Sequence, residues 1–444
     1  MTSLLIKNAK IVNEGEIQEG DVLVKEGRID KIAGDISANY NESVFDAKGK
    51  ALLPGMIDGQ VHFREPGMEH KATIATESRA AVAGGITSFM DMPNTIPNVL
   101  SSDVLEDKYR LAANRSVANY SFYLGASNDN LEDIKSLNPN AACGVKVFMG
   151  ASTGNMLVDD PSTLEQIFKY APTLVATHCE DTPLILENEE SYRQIHGDDI
   201  PFELHPVIRS EEACYKSSSF AVELAKEHGT RLHVLHISTA KEVELFSSAK
   251  LKDKQISAEA CAHFLVFSDD DYAEKGSLIK CNPAIKTAED RAGIIQGLMD
   301  GRIDTIATDH APHTWEEKQN TYFKAPSGLP LVQYALPSLL ENYHDGIFTL
   351  EFIVEKVSHA VAERFQIKDR GYIREGYWAD LALVDLDKTT QAKHRNVLSK
   401  CKWTPFDGYD FRSSIAATWV NGNLVWQEGE LQDSDFGMRL AFDR

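Results

Sequence analysis

Val145-Lys146-Val147-Phe148-Met149-Gly150 is a short β-branched and aromatic run that reads as a buried strand, and a lysine sits in its middle. An ammonium among apolar side chains needs a partner or a changed charge state. The plainer reading is an ion pair with a nearby carboxylate. The sharper reading is a lysine converted to a carbamate, whose two oxygens can bridge two metal ions. The other strands of the chain decide between them, because they place matching donors at their own ends.

Working outward from this strand, apolar runs alternate with helical patterns between about residues 54 and 369. Strands are expected to end near His62, Met92, Ala126, Met149, His178, His236, His263 and Asp309. Helical stretches lie between them, including Lys71 to Ala83, Val104 to Asn114, Ser218 to Glu227, Glu289 to Met299 and Leu350 to Phe365. Eight β-then-α units predict an α/β fold, a (β/α)8 TIM-like barrel over 54–369. Chemistry in such barrels sits at the C-terminal strand ends.

The two ends of the chain have another texture. Ser3 to Ile6, Gly20 to Lys25, Arg28 to Ala33 and Ser43 to Asp46 are short strand candidates punctuated by Asn, Gly and Asp. Ala379 to Asp385, Ala416 to Val420 and Asn423 to Gln427 repeat the pattern, the last two joined by the hairpin signal Asn421-Gly422. Residues 1–53 and 370–444 are therefore expected to form one small β-sandwich domain together.

Composition narrows the partners. The chain has 444 residues, 43% hydrophobic, with a formal net charge of −22. That balance argues against nucleic acid or an anionic membrane as partner and suits a small-molecule substrate, with a local positive pocket if the substrate is acidic. Cys143, Cys179, Cys214, Cys261, Cys281 and Cys401 are scattered, without C-x-x-C, which reads as reduced thiols in a cytoplasmic protein. The first residues lack a signal-peptide layout, and no apolar run approaches the ~20 residues of a membrane span.

Gln60, His62 and Arg64 alternate, so all three face one side of their strand. His178 ends the fifth strand, His236 the sixth and Asp309 the eighth. Each has a structural alternative: a histidine satisfied in the core, or an aspartate capping the next turn. His233, at odd spacing from His236, faces the other way and reads as structural. Together with Lys146, these residues bring imidazole, carboxylate and lysine-derived oxygens to one barrel mouth, a donor set that suits zinc.

This layout resembles the amidohydrolase superfamily. Val61-His62-Phe63-Arg64-Glu65-Pro66-Gly67 and Ala307-Thr308-Asp309-His310-Ala311-Pro312-His313, with Lys318 beyond it, look like the two signatures of the dihydroorotase family, class I type. Met92-Pro93-Asn94-Thr95 and Lys280-Cys281-Asn282-Pro283 are further phrases of that kind, and Lys146 to Gly150 is also reminiscent of hydantoinases. The resemblance implies one or two Zn2+ ions held by His62, Lys146, His178, His236 and Asp309, bridged by carboxylated Lys146. It also implies Asp309 as the proton-transferring group, and Arg64, Asn94, Asn282 and His313 as substrate-binding residues. One departure stands out. The family has His-x-His where this chain has Gln60-Val61-His62, and a glutamine carbonyl is a weaker zinc ligand than imidazole. Either Gln60 coordinates, or water takes its place, or that position is weakly occupied.

The implied reaction is reversible hydrolysis of the cyclic amide of dihydroorotate to carbamoyl-aspartate, in pyrimidine biosynthesis. The implied assembly is a homodimer, with aspartate transcarbamoylase as a further partner. Two rival readings remain: a hydantoinase, dihydropyrimidinase or allantoinase, and an inactive homologue acting as a scaffold. The stretches Ala151 to Asp160 and His310 to Gly328 are expected to cover the site as lids.

Overall fold

The computed structural model describes residues 3–40, 42–150, 156–432 and 437–444. Five strands lead the chain: β1 (Ser3–Asn13), β2 (Glu16–Lys25), β3 (Arg28–Ala33), β4 (Glu42–Asp46) and β5 (Ala51–Pro54). Nine more follow through the middle: β6 (Met56–Val61), β7 (Ile86–Asp91), β8 (Asn119–Phe122), β9 (Leu124–Gly125), β10 (Val145–Phe148), β11 (Val175–His178), β12 (Leu232–Val234), β13 (Ile256–Cys261) and β14 (Thr305–Ala307). The last six are β15 (Leu381–Asp385), β16 (Thr390–Gln391), β17 (Asp410–Phe411), β18 (Ser414–Val420), β19 (Asn423–Gln427) and β20 (Glu430–Leu431).

The middle strands pair in parallel, in chain order. One sheet is β6-β7-β8 and the other runs from β9 to β14. β8 and β9 follow each other across Tyr123, so the third unit serves both sheets. The outermost strands also meet. The His62 N–H donates to the His310 carbonyl at 2.7 Å, and Val61 forms a parallel bridge with His310. Nearly every residue of β6 to β14 is buried, as parallel strands covered on both faces require. Helices stand between them. Ile74–Ala83, Ser102–Ala112, Glu211–His228 and Ala288–Met299 lie on the expected stretches, the third beginning earlier than its pattern suggested. The stretch Leu350 to Phe365 is helical throughout, with a π-helical turn at Glu355–His359.

The two chain ends do pair, and their strands join in one hydrogen-bonded sheet of nine strands. The sheet divides at β1. Ser3 to Lys7 pair with β4, whereas Lys10 and Ile11 pair with β5 and through it reach β15 and β18. Asn8, at φ 56°, sits where the register shifts. The two arms share a small apolar core holding Ile6, Val22, Leu52, Leu381 and Trp419, with Phe45 edge-on to Trp419 at 4.9 Å. Asn421 and Gly422 both have positive φ, the conformation that the β18–β19 hairpin demands. All six cysteines are buried free thiols, and among the described residues no helix is long and apolar enough to cross a membrane.

Candidate active site

A cavity of about 420 Å³ opens at the C-terminal ends of the parallel strands. Gln60, His62, Arg64, Asn94, Lys146, His178, His236, Asn282, Asp309 and His313 all line it, so the sequence candidates meet in one place. The strands place them there. β6 ends at Val61, β10 at Phe148, β11 at His178, β12 at Val234 and β14 at Ala307, each within two residues of a candidate. Arg64, His236 and Asp309 have φ of 68°, 40° and 51°. A side chain other than glycine costs about 1–3 kcal/mol there, a strain that characteristically collects at functional sites.

Lys146 is 1% exposed, and its Nζ lies 4.6 Å from the Phe148 ring centre. No carboxylate approaches it to ion-pair distance among the described residues, so the plainer reading of this lysine finds no support there. Burial lowers its ammonium to about 8 against the opposing pull of Asp309.

His178 and His236 approach each other closely, with Nδ1 of the first 2.9 Å from Nε2 of the second. Nε2 of His178 is 2.8 Å from Glu180 Oε2. Arg209 donates to the same oxygen at 2.6 Å. Burial alone would raise the Glu180 carboxyl, but Arg209 and His178 hold it well below the usual carboxylate range. An ionised Glu180 can only accept, so His178 carries its proton on Nε2 and presents a lone pair from Nδ1. Gly150 makes room for this arrangement, because a Cβ there would come within 2.3 Å of the Glu180 carbonyl.

A second pair stands opposite. His62 Nε2 is 3.2 Å from Asp309 Oδ1, and His62 Nδ1 is 2.9 Å from Asn94 Oδ1. Burial opposes ionisation of Asp309, but the hydrogen bond from His62 and the neighbouring imidazoles bring it down to about 2. Gln60 turns its amide nitrogen to Asp309 Oδ1 at 3.0 Å, while its Oε1 is buried without a hydrogen-bond partner among the described residues. Among the described residues no three His, Cys, Asp or Glu side chains converge by themselves as a metal-holding group. The donors come as two pairs, with Lys146 in the same cavity. The two pairs fit a cation in their chemistry: imidazole nitrogens, a carboxylate and, on Lys146, a nitrogen open to carboxylation suit zinc or a similar ion.

Arg64 is 8% exposed and donates from Nε to the Pro312 carbonyl at 3.1 Å. Its Nη2 lies 3.0 Å from His313 Nε2. Burial lowers the guanidinium to about 10, and no ion-pair partner is found for it among the described residues. Asn282 Oδ1 is buried without a hydrogen-bond partner among the described residues.

The His310 to Gly328 stretch borders the cavity through Ala311, His313 and Pro326 to Gly328. It is held down by Lys318, whose Nζ donates to the carbonyls of Lys280, Pro326 and Gly328, and by Trp403 Nε1, which donates to the His313 carbonyl. Of the other expected lid, residues 151–155 lie outside the described residues. Beyond them Val158 N–H donates to the Phe148 carbonyl.

Sequence reasoning missed Glu180, Lys71 and Arg209. Glu180 was readable, since it follows His178 by only two residues, just past the end of β11. Nothing local marks Lys71 or Arg209, which reach the cavity from loop and helix-end positions.

Residues 51–425 match the amidohydrolase family. Over 440 residues the chain is 35% identical to a dihydroorotase of Bacillus cytotoxicus, covering 96% of this chain and 98% of that one. A dihydroorotase of Bacillus thuringiensis is 34% identical with the same coverage. Among solved structures, an L-hydantoinase (dihydropyrimidinase) from Arthrobacter aurescens superposes with a TM-score of 0.94 at 28% identity, covering 99% of this chain and 100% of that chain. A dihydropyrimidinase from Brevibacillus agri reaches 0.91 at 24% identity, covering 100% of both, a likeness of fold alone. A family match that takes in every residue of the cavity, and relatives aligned almost end to end, show that the chain belongs to the amidohydrolase family.

Proposed function

We propose that the protein is a metal-dependent dihydroorotase, opening the ring amide of (S)-dihydroorotate to N-carbamoyl-L-aspartate and closing it in the biosynthetic direction. The observation that carries this is Arg64. A buried guanidinium without a carboxylate partner among the described residues shares a cavity with both donor pairs. It suits a substrate that brings its own carboxylate next to a cyclic amide. The curated relatives carry the name dihydroorotase, which agrees.

In this reading the eight parallel strands form a closed (β/α)8 barrel over 54–369, flanked by the β-domain of 1–53 and 370–444. Carboxylated Lys146, His178 and His236 would hold one Zn2+, and Lys146, His62 and Asp309 a second. When bound, the metal supplies a reactive water and polarises the amide carbonyl. The chain's own groups do the rest. Asp309, ionised at rest, takes a proton at a carboxylate oxygen and returns it to the leaving ring nitrogen. Arg64 and His313 grip the ring carboxylate with N–H donors, and Asn94 completes that contact. Asn282 offers its buried Oδ1 to a ring N–H. His310 to Gly328 shields the cavity from water. A cytoplasmic homodimer, associated with aspartate transcarbamoylase, completes the proposal.

The structural likeness to hydantoinase and dihydropyrimidinase favours a second reading, hydrolysis of uncharged cyclic amides. Turnover of dihydroorotate, hydantoin, dihydrouracil and allantoin by one zinc-loaded preparation decides between them. The dihydroorotase reading expects kcat/KM for dihydroorotate to exceed the others. Preference for an uncharged ring sinks it, and inactivity in both directions points to a scaffold.

A further inference from the structure

We infer that Lys71 is a positioning residue for the anionic end of the substrate: its ammonium fixes His313 as an Nε2–H donor beside Arg64. This rests on the dihydroorotase reading, since it concerns the carboxylate that reading requires.

Lys71 lies in the loop after β6, and His313 in the loop after β14. Lys71 Nζ is 3.0 Å from His313 Nδ1. An ammonium can only donate, so Nδ1 must present its lone pair. A neutral imidazole has one lone pair, so the proton sits on Nε2. That nitrogen is 3.0 Å from the Ser327 carbonyl, which can only accept. These two contacts specify the same tautomer, against the Arg64 guanidinium, which also can only donate and faces Nε2.

The groups facing the ring are mostly cationic. Arg64 Nη2 lies 3.0 Å from Nε2, and Lys318 stands in the same loop. Among the described residues the carboxylate beside the ring is Glu317, 3.8 Å from Nδ1 and 3.2 Å from Lys71 Nζ. Burial, then Arg64, Lys71 and Lys318, holds the ring well below the usual histidine range, so it stays neutral. With the proton on Nε2, His313 has no lone pair for Arg64. Two N–H donors then point to one corner of the cavity, where the Ser327 carbonyl is the acceptor at hand for Nε2. A carboxylate entering there supplies the missing acceptor atoms. Gly328 borders that corner, where a Cβ would meet the Ala311 carbonyl at 2.5 Å and His313 Nε2 at 3.0 Å. Without Lys71, Nδ1 is free to take the proton, and Nε2 would then turn a lone pair toward the incoming anion.

The test compares Lys71→Met with Lys71→Gln, whose amide can still donate to Nδ1, in the full-length zinc-loaded protein. For dihydroorotate, Lys71→Met is expected to raise KM about tenfold with a smaller change in kcat, as loss of a ground-state contact does. Lys71→Gln should recover much of that loss. In 15N NMR the His313 ring should read as Nε2–H in the wild type and as a mixture in Lys71→Met. An unchanged KM in a wild type that does turn over dihydroorotate overturns the inference, as does a wild-type ring protonated on Nδ1. If the wild type does not act on dihydroorotate at all, the function proposed above fails. The NMR arm still judges the Lys71–His313 relationship, and it does so even if Lys71→Met is poorly folded, because it is read on the wild type and on Lys71→Gln.

Discussion

Nδ1 of His178 and Nε2 of His236 lie 2.9 Å apart, two ring nitrogens aimed at each other across adjacent parallel strands. Glu180 has already claimed the other nitrogen of His178. The lone pair left on Nδ1 therefore either receives a proton from His236 or shares a cation with it. In the second case the orientation of His178 depends on Glu180, and that of Glu180 on Arg209. Replacing Glu180 by Gln keeps the volume and removes the charge that fixes the tautomer. We expect metal affinity to fall about 10–100-fold, the usual cost of losing such an outer partner. Metal content after dialysis against a graded chelator measures it. Retention equal to the wild type would mean that His178 is no ligand.

Arg64 offers a separate handle on substrate choice. Arg64→Met removes a buried donor that no other side chain replaces, and a broken buried charge pair typically costs about 2–5 kcal/mol. The expected result is a loss of at least ~30-fold in kcat/KM for dihydroorotate, with little change for hydantoin. Arg64→Lys should rescue poorly, because a point charge does not reproduce the planar fork. Equal losses on both substrates would place Arg64 outside the carboxylate contact.

How much of this was written in the linear chain varies from residue to residue. The strand ends were legible to within two residues, because most of the parallel strands are short stretches rich in β-branched and apolar residues that give way to polar or turn residues. β1 was read too short: Lys7 and Asn8 break its alternation where the register shifts, and the strand resumes beyond them. The division of the sheet at β1 has no local signal, since it depends on which strand reaches each half of it. The site shows the same limit. His178 and Glu180 are two residues apart and readable as a unit. Arg209 and Lys71 join it only through the fold, from helix-end and loop segments with no pattern of their own.

Gln60 has its own test. Its amide nitrogen donates to Asp309, and its oxygen has no hydrogen-bond partner among the described residues. Gln60→His would add an imidazole nitrogen beside His62 and Asp309, a better zinc donor than an amide oxygen. Metal bound per chain at a fixed chelator concentration should rise. If it does not, the pair formed by His62 and Asp309 is not where an ion is gained.

Acid stability follows from a buried histidine outside the cavity. His233 is fully buried, 2.7 Å from Ser257 Oγ and 3.3 Å from Glu259 Oε2. By distance the second contact is an ion pair, yet burial drives both partners toward neutrality. It lowers His233 to about 3 and raises Glu259 to about 8. The pair is neutral, because neither charge is solvated there. In the unfolded chain a histidine titrates near 6.5. Above that pH neither state binds the proton, and His233 has no effect. Below it the unfolded chain takes up a proton that the fold refuses, so stability falls by up to ~1.4 kcal/mol per pH unit until about pH 3. Urea midpoints of wild type and His233→Asn between pH 7 and pH 4 test this. The wild-type midpoint should drop more steeply, and the difference in slope should vanish above pH 7. Parallel curves would show that residue 233 takes up a proton in the folded protein as readily as in the unfolded chain.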